Sequence, residues 1–304
     1  MTINDANSDP EADLVLLAVV DAYKWWVTSD FGFLQATGIL DQNGIRSARE
    51  VGVYDVHLVR RIARAYSVSR NIPVDQGDIH ARSVADILNC EAAGLVTMPF
   101  GKRAELLAAL VESRPIRFSD RKRRDAKRDL ASAYSKLTWF LRPEDWTIFD
   151  RHVGRAVCGS NGVGTRQMRL FYDRLTPNWA DLSPRITAVT AMHGFDPLLG
   201  YRIIDKWLFL HGMRGAAAAS LRTDDPVDEH TASGTVLAAR SAFADICRSL
   251  RATTQVFHPL VGRRMLELAA DLGPLLDRSP WLSTNDTPHG PKTKAKHPES
   301  LIVD

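Results

Sequence analysis

Hydrophobic residues recur at helical spacing along most of this chain. Between residues 13 and 27, Leu14, Leu17, Ala18, Asp21 and Trp25 fall at helical spacing, which predicts a helix. Alternation typical of strands is scarce. The pattern therefore predicts an all-α protein, which we expect to form two packed helical lobes with a cleft between them. Further helices are predicted at 56–66, 83–88, 102–111, 121–141, 150–157, 166–175, 184–193, 198–211, 235–251 and 260–276.

The two ends of the chain lack this pattern. Residues 1–12 are polar and acidic, and residues 280–304 are rich in Pro, Thr, Lys and His, so both are predicted to be disordered around one helical domain at 13–279. The acidic N-terminus is unlike a signal peptide. The apolar run from Leu14 to Val20 is far shorter than a membrane span. We expect a cytoplasmic protein without a membrane partner.

Charge is distributed unevenly along the chain. The formal net charge is +3, but residues 100–170 hold 16 Lys or Arg against 8 Asp or Glu, a local +8 that leaves −5 for the rest. A basic middle on an acidic body indicates a polyanionic partner. The three cysteines, Cys90, Cys158 and Cys247, have no metal-ligand spacing and are predicted to be buried. No metal and no cofactor are expected.

The basic charge is densest between residues 114 and 128. On a helix, residues 121, 124 and 128 share one face, and 123 and 127 share the next. Such a surface suits a phosphate backbone, although a solvated helix with internal Asp–Arg pairs has the same pattern. The eight cations are Arg114, Arg117, Arg121, Lys122, Arg123, Arg124, Lys127 and Arg128.

Two residues after this cluster could carry chemistry. Lys136 lies among aromatic and apolar neighbours, where desolvation would favour the uncharged amine, a nucleophile; a lysine at the rim of an amphipathic helix is the alternative. Asp150 opens the next predicted helix. It is a preferred N-cap residue, and it could equally be a cleft carboxylate that orients water or stabilises an oxocarbenium-like sugar.

The segment 135–155 resembles helix-hairpin-helix DNA glycosylases. The sequence Asp150-Arg-His152-Val153-Gly-Arg155 is similar to their Asp-x-His-Val-x-Arg signature. Upstream, Ser135-Lys136-Leu-Thr-Trp-Phe-Leu-Arg-Pro fills the place of the lysine found in the bifunctional members, most like the 8-oxoguanine-glycosylase branch.

The resemblance implies a DNA glycosylase, with or without an AP-lyase step, that acts on a damaged or modified base in double-stranded DNA. Lys136 would attack the anomeric carbon and form a Schiff base, and Asp150 would activate the lysine or stabilise the sugar cation. The base would be flipped out against Tyr134, Trp139 and Trp146. An oxidised purine, an alkylated base and a phage-modified cytosine all remain open. We assign DNA contacts to Arg121, Arg123, Arg124, Lys127, Arg128, Arg151, His152 and Arg155.

Several features depart from the family pattern. The separation of 14 residues between Lys136 and Asp150 is short, and the family's Gly-Val-Gly hairpin occurs here at 162–164, after the aspartate. A second, similar motif, Tyr54-Asp55-Val-His57-Leu-Val-Arg60, has no suitably placed lysine before it, which makes Lys136 the deciding residue. A non-catalytic DNA-binding or regulatory protein and a helical protein–protein module are the rival interpretations.

Overall fold

The computed structural model describes residues 13–69, 72, 78–113, 130–160, 162, 164–219 and 229–283. In this part of the chain the only strand-like feature is an isolated antiparallel bridge between Leu40 and Arg46, so the all-α class is confirmed there. The helices are α1 Leu14–Trp25, α2 Phe31–Thr37, α3 Val56–Ala65, α4 Ile79–Ala92, α5 Phe100–Ser113, α6 Leu130–Leu141, α7 Arg151–Cys158, α8 Thr165–Met192, α9 Pro197–Ala219, α10 Glu229–Thr254 and α11 Pro259–Leu276.

Helices α1 and α9 form the centre of the molecule. Helix α9 packs against α1, α7, α8 and α10, and α1 also packs against α10 and α11. The Asp13 carboxylate caps α1 by accepting the Leu16 N–H at 3.2 Å. Buried apolar side chains cover most of the α1 surface, as expected for a helix that is enclosed on all sides. Four charged residues of these two described helices are buried as a result: Asp21 in α1, and Arg202, Asp205 and Lys206 in α9.

The backbones of α7 and α9 are in direct contact, with no side chain between them at the crossing point. A Cβ atom added at Gly212, in the middle of α9, would lie 1.8 Å from the carbonyl oxygen of His152 in α7. No side chain fits at that separation, so glycine is the residue that this crossing requires. The crossing fixes the first turn of α7 against the centre of the molecule.

Helix α8 is longer than the sequence pattern indicates. Separate helices were predicted at 166–175 and 184–193, but α8 is continuous and contains both Pro177 and Pro184. Trp179 lies between the prolines and is buried; its ring stacks on Phe100 at 4.2 Å and packs against Trp281 at 5.6 Å. An internal proline costs about 3 kcal/mol, and burial of this aromatic cluster offsets that loss.

Trp281 and Ser283, which lie beyond the predicted domain boundary at residue 279, contact the helices. Trp281 is buried, and the Ser283 N–H donates to the carbonyl oxygen of Ala156 at 2.8 Å. These contacts attach the segment to α7 and α8. The predicted leader at 1–12 and the rest of the predicted tail lie outside the described residues. Among the helices described, none combines the length and apolar character that crossing a membrane would need.

The cysteine prediction holds at two of the three positions. Cys158 and Cys247 are buried, and burial raises the pKa of the Cys158 thiol to about 11. Cys90 is exposed, contrary to the prediction. The buried face of α4 carries Val84 and Leu88, one helical turn apart, and a residue two positions beyond Leu88 points to the opposite side.

Candidate active site

A cleft with a volume of about 510 Å³ opens between α1, the end of α3, α6, the start of α7, α9 and α10. This volume is in the range of small-molecule sites. Among the residues described, the aromatic side chains that line it are Trp25, Tyr66 and Phe209. Its charged lining residues are Asp21, Lys24, Lys136, Asp150, Arg202, Asp205, Lys206 and Asp245.

The two residues predicted to be catalytic meet in this cleft. The Nζ atom of Lys136 lies 3.8 Å from the Oδ2 atom of Asp150, within ion-pair range but beyond hydrogen-bond distance. The side chain of Lys136 is 12% exposed, against 23% for Asp150. The Lys136 amine makes no hydrogen bond to any residue that the structure describes. The amine therefore interacts electrostatically with a carboxylate that does not hydrogen-bond to it.

Asp150 uses its two carboxylate oxygens differently. Oδ1 accepts the N–H groups of His152 at 2.8 Å and Val153 at 3.1 Å, so Asp150 is the N-cap of α7. Oδ2 faces Lys136 across the cleft. The two alternatives considered for this aspartate, a helix cap and a cleft carboxylate, are compatible. The helix holds one oxygen and thereby orients the other.

Ser135 ties the backbone next to Lys136 to the backbone next to Asp150. Its Oγ atom accepts the Phe149 N–H at 2.7 Å and hydrogen-bonds the Tyr172 hydroxyl at 2.8 Å. The Tyr172 hydroxyl in turn donates to the Thr147 carbonyl at 2.9 Å. All of these groups are buried, where an unpaired polar group is costly. This network fixes the segment that connects α6 to α7 and so sets the separation of Lys136 and Asp150.

Arg103 fastens the same segment from α5. Its Nη1 atom donates to the carbonyl oxygens of Glu144 and Asp145, the latter at 3.0 Å, while Nε donates to the Met98 carbonyl at 2.8 Å. The residue is 2% exposed. Asp145 has a φ of +53°, which is unfavourable for a residue with a side chain. Arg103 thus holds a strained turn in place.

A buried ionic cluster forms the floor of the cleft. Arg202 donates through Nε to Asp30 Oδ2 at 2.8 Å and through Nη1 to Asp205 Oδ2, while Nη2 donates to the Tyr66 hydroxyl at 3.1 Å. Asp30 and Arg202 are almost completely buried. The guanidinium also lies over the ring of Trp139, 5.2 Å from its centroid. Opposite charges and hydrogen bonds together compensate the desolvation of these groups.

Asp205 and Lys206 extend this cluster into the cleft. Burial raises the pKa of Asp205 to about 6, against the opposing effect of Arg202 and Lys206. The Nζ atom of Lys206 lies 3.0 Å from Asp21 Oδ2 and 4.6 Å from the centroid of the Trp25 ring. A carboxyl group with a raised pKa beside a lysine and a second carboxylate is typical of sites that move protons.

The predicted DNA-contact residues have different positions. Arg151 is exposed, and Arg155 is half-buried on the same helix. His152 is half-buried and packs edge-on against Phe209 at 5.1 Å, and burial lowers its pKa despite the nearby Asp150. The other five predicted contacts, Arg121, Arg123, Arg124, Lys127 and Arg128, lie outside the described residues.

The aromatic residues predicted to hold a flipped base do not line the cleft. Tyr134, Trp139 and Trp146 are at most 1% exposed and belong to the core. Helix α6 is apolar on most of its surface and is enclosed by the fold, so its aromatic rings pack inward while Lys136 reaches the cleft. The cleft walls are instead Trp25 from α1, Tyr66 after α3 and Phe209 from α9.

Most of the remaining cleft residues were missed from the sequence. Asp205 and Lys206 lie in the predicted helix at 198–211 and Asp21 lies in the predicted helix at 13–27, and no functional residue was assigned to either helix. A signal was present, because Arg202, Asp205 and Lys206 are three charges at positions i, i+3 and i+4 within a helix rich in Leu and Ile. Charged residues on the buried face of a helix need partners and mark a site worth testing.

The second Asp-x-His motif provides an internal comparison. Asp55 also caps a helix, accepting the Leu58 N–H at 2.7 Å in front of α3. It is exposed and is absent from the lining of the cleft. The two motifs therefore share a capping function, and the cleft position beside a lysine distinguishes Asp150.

No group of three or more potential metal-ligating side chains occurs within the residues described. Comparisons with models of protein families, with curated proteins and with solved structures found no match to this chain.

Proposed function

We propose that this protein is a DNA glycosylase that removes a damaged or modified base, with Lys136 and Asp150 as its catalytic residues. The observation that carries the proposal is the 3.8 Å separation of Lys136 Nζ and Asp150 Oδ2 inside a cleft. The proposal includes the helix-hairpin-helix glycosylase-like architecture with two lobes, which the motif resemblance at residues 135–155 implies.

The geometry is suited to cleavage of an N-glycosidic bond. A flipped nucleotide would place its base against Trp25 and Phe209, with its anomeric carbon beside the lysine. Attack by the Lys136 amine displaces the base, and Asp150 Oδ2 accepts the proton that the amine loses while stabilising positive charge on the sugar. The resulting Schiff base permits strand cleavage. If water attacks instead, Asp150 orients it and no covalent intermediate forms.

DNA would approach over the exposed Arg151, at the start of the helix that Asp150 caps. The basic cluster at 114–128 immediately precedes α6 in the chain, so both cationic segments adjoin the elements that carry the catalytic pair. Cations at such positions bind phosphates and release counterions.

The test is base release from duplex oligonucleotides that carry 8-oxoguanine, 7-methylguanine or 5-hydroxymethylcytosine, measured by mass spectrometry with parallel borohydride trapping. We expect wild type to release a base and Asp150→Asn to lose at least about 100-fold in rate, the range for a catalytic acid–base group. Lys136→Ala should abolish the trapped adduct. Asparagine also caps helices well, so Asp150→Asn should fold.

Matched controls are available in the chain. Asp55→Asn alters the equivalent cap outside the cleft, and Lys102→Ala removes an exposed lysine paired with Glu105. Both should behave as wild type. Base release by wild type without a trapped adduct, at a rate that Lys136→Ala does not lower, would define a monofunctional enzyme. Tight binding with no base released from any of these DNAs would overturn the proposal in favour of a non-catalytic DNA-binding protein.

A further inference from the structure

We infer that Asp205 is the acid that protonates the departing base, so that the cleft holds an acid and a base of separate function. The inference rests on the proposed glycosylase function and adds a third catalytic residue to it. Asp205 comes from α9, which is distant in sequence from the Lys136–Asp150 segment and lies outside the motif resemblance.

The position of Asp205 suits proton donation. It lines the cleft with 6% of its surface exposed. Its Oδ2 atom is held by Arg202, while Oδ1 makes no hydrogen bond to any side chain in the described part of the chain. Arg202 is itself fixed by Asp30 and Tyr66. One oxygen is therefore anchored to a rigid floor and the other is left for a ligand.

The carboxyl groups of Asp150 and Asp205 lie in different electrostatic surroundings. Asp150 has one oxygen held by two backbone N–H groups and the other directed at Lys136, where it can accept the proton that the nucleophile loses. Burial raises the pKa of Asp205 to about 6, and the nearby Asp150 adds to this effect. Carboxyl groups in such unlike environments take opposite roles as acid and base. Among the described residues, the charged or titratable groups around Asp205 come from several elements. They are Arg202 and Lys206 on α9, Asp30 and Tyr66 in the floor, Lys136 on α6, Asp150 and His152 at the start of α7, Tyr172 on α8, Asp21 and Lys24 on α1, and Asp245 on α10.

The proposed step balances. The bond between the anomeric carbon and the base nitrogen breaks, and its electron pair goes to the base. The proton leaves Asp205 Oδ1 for the base, which departs neutral. The Lys136 amine, or water, forms the new bond to the anomeric carbon and passes a proton to Asp150. The Asp205 carboxylate that remains is stabilised by Arg202 and regains its proton from solvent.

A pair of substrates separates an acid from a structural residue. Release of 8-oxoguanine, a neutral base, needs a proton, whereas 7-methylguanine is already cationic and leaves neutral without one. In single-turnover assays on duplexes carrying each base, Asp205→Asn should slow 8-oxoguanine release about 100-fold, the usual contribution of a general acid. Release of 7-methylguanine should change less than about threefold, because no acid is required. Asp181→Asn, an exposed carboxylate on α8, is the matched control.

The pH dependence gives a second readout of the same assay. The acid form of Asp205 is depleted as the pH rises through about 6. The ratio of wild-type to Asp205→Asn rates on 8-oxoguanine should therefore fall across this range, and the ratio cancels the titration of other groups. Equal losses on both bases, or a ratio independent of pH, would overturn the role of Asp205. Release of 7-methylguanine alone by wild type would also overturn it. Absence of any base release by wild type would instead defeat the proposed function itself.

A stability measurement tests the premise without any DNA. A carboxyl group whose pKa is higher in the folded than in the unfolded protein binds more protons when folded, so stability falls as the pH rises through that window. The difference in unfolding free energy between wild type and Asp205→Asn should decrease from about pH 4 to pH 6. A constant difference would show that Asp205 does not titrate there and would remove the acid from the mechanism.

Discussion

In each of the two carboxyl groups proposed for catalysis, one oxygen is hydrogen-bonded within the fold and the other faces the cleft. Oδ1 of Asp150 accepts hydrogen bonds from the first turn of α7, and its Oδ2 remains available. Oδ2 of Asp205 accepts a hydrogen bond from Arg202, and its Oδ1 remains available. In each carboxyl group the engaged oxygen fixes the direction of the other one. Such anchoring limits the reorganisation that a reaction would otherwise require.

Arg202 should contribute strongly to stability because its loss strands two buried carboxylates. Arg202→Met is expected to lower the free energy of unfolding by about 3–5 kcal/mol, since Asp30 and Asp205 would lose the cation that compensates their desolvation. Chemical denaturation with urea measures the change.

Arg185→Met serves as the control. Arg185 pairs with Asp181 at 3.3 Å on the exposed surface of α8, where such a pair contributes less than about 1 kcal/mol. A similar small loss for both variants would mean that the buried cluster is no more stabilising than a surface ion pair.

At the scale of helices, the contact of α7 with α9 determines where Asp150 lies. Gly212→Ala should destabilise the protein by about 1–3 kcal/mol, because the new Cβ would overlap the His152 carbonyl and force the two helices apart. The displacement would move α7 and its cap, so base release should fall as well. Thermal unfolding and the glycosylase assay report the two effects.

Gly262→Ala is the matched control within α11, where a Cβ would meet no atom within 4 Å. Replacing a helical glycine by alanine at an open position stabilises by about 0.5–1 kcal/mol. The same sign of change at Gly212 and Gly262 would contradict the close approach of α7 and α9.

Helix positions were largely predictable, but their lengths and partners were not. Apolar periodicity located α1, α7 and α11, and the start of α7 at Asp150 followed from N-cap preference. Two separate helices were predicted within α8 because local propensity carries no information about the burial of Trp179, which packs against Phe100. Local sequence signals indicate where a helix begins. Where it ends depends also on tertiary packing, which local signals do not contain.

The candidate site also has a part that the sequence could predict and a part that it could not. Lys136 and Asp150 are close in sequence, so a motif could join them. Asp205, Lys206 and Trp25 come from helices far apart in the chain, and their meeting depends on how α1 and α9 pack. Periodicity describes one helix at a time and cannot supply such a contact.

Across the whole molecule, positive charge concentrated at residues 100–170 predicts salt-sensitive DNA binding. Arg121→Ala, Arg124→Ala and Arg128→Ala together should reduce the slope of log affinity against log salt by about 0.9 for each phosphate that the variant no longer neutralises. Fluorescence anisotropy with a duplex oligonucleotide across a salt series measures the slope.

Three exposed arginines outside that region, Arg82, Arg185 and Arg263, form the control when replaced together by alanine. This variant has the same net charge as the first. Equal slopes for the two triple variants would show that total charge, rather than the basic segment, governs binding.

The hydrogen bonds of Arg103 have a consequence for genetics. This arginine is buried in α5 and has no place in the lining of the cleft, yet it holds the turn at Glu144 and Asp145 between the helices that carry Lys136 and Asp150. A random-mutagenesis screen for lost activity should recover substitutions at Arg103 alongside those in the cleft. Second-site suppressors of such alleles should map to the 142–149 segment, where a residue that relaxes the turn would restore the spacing.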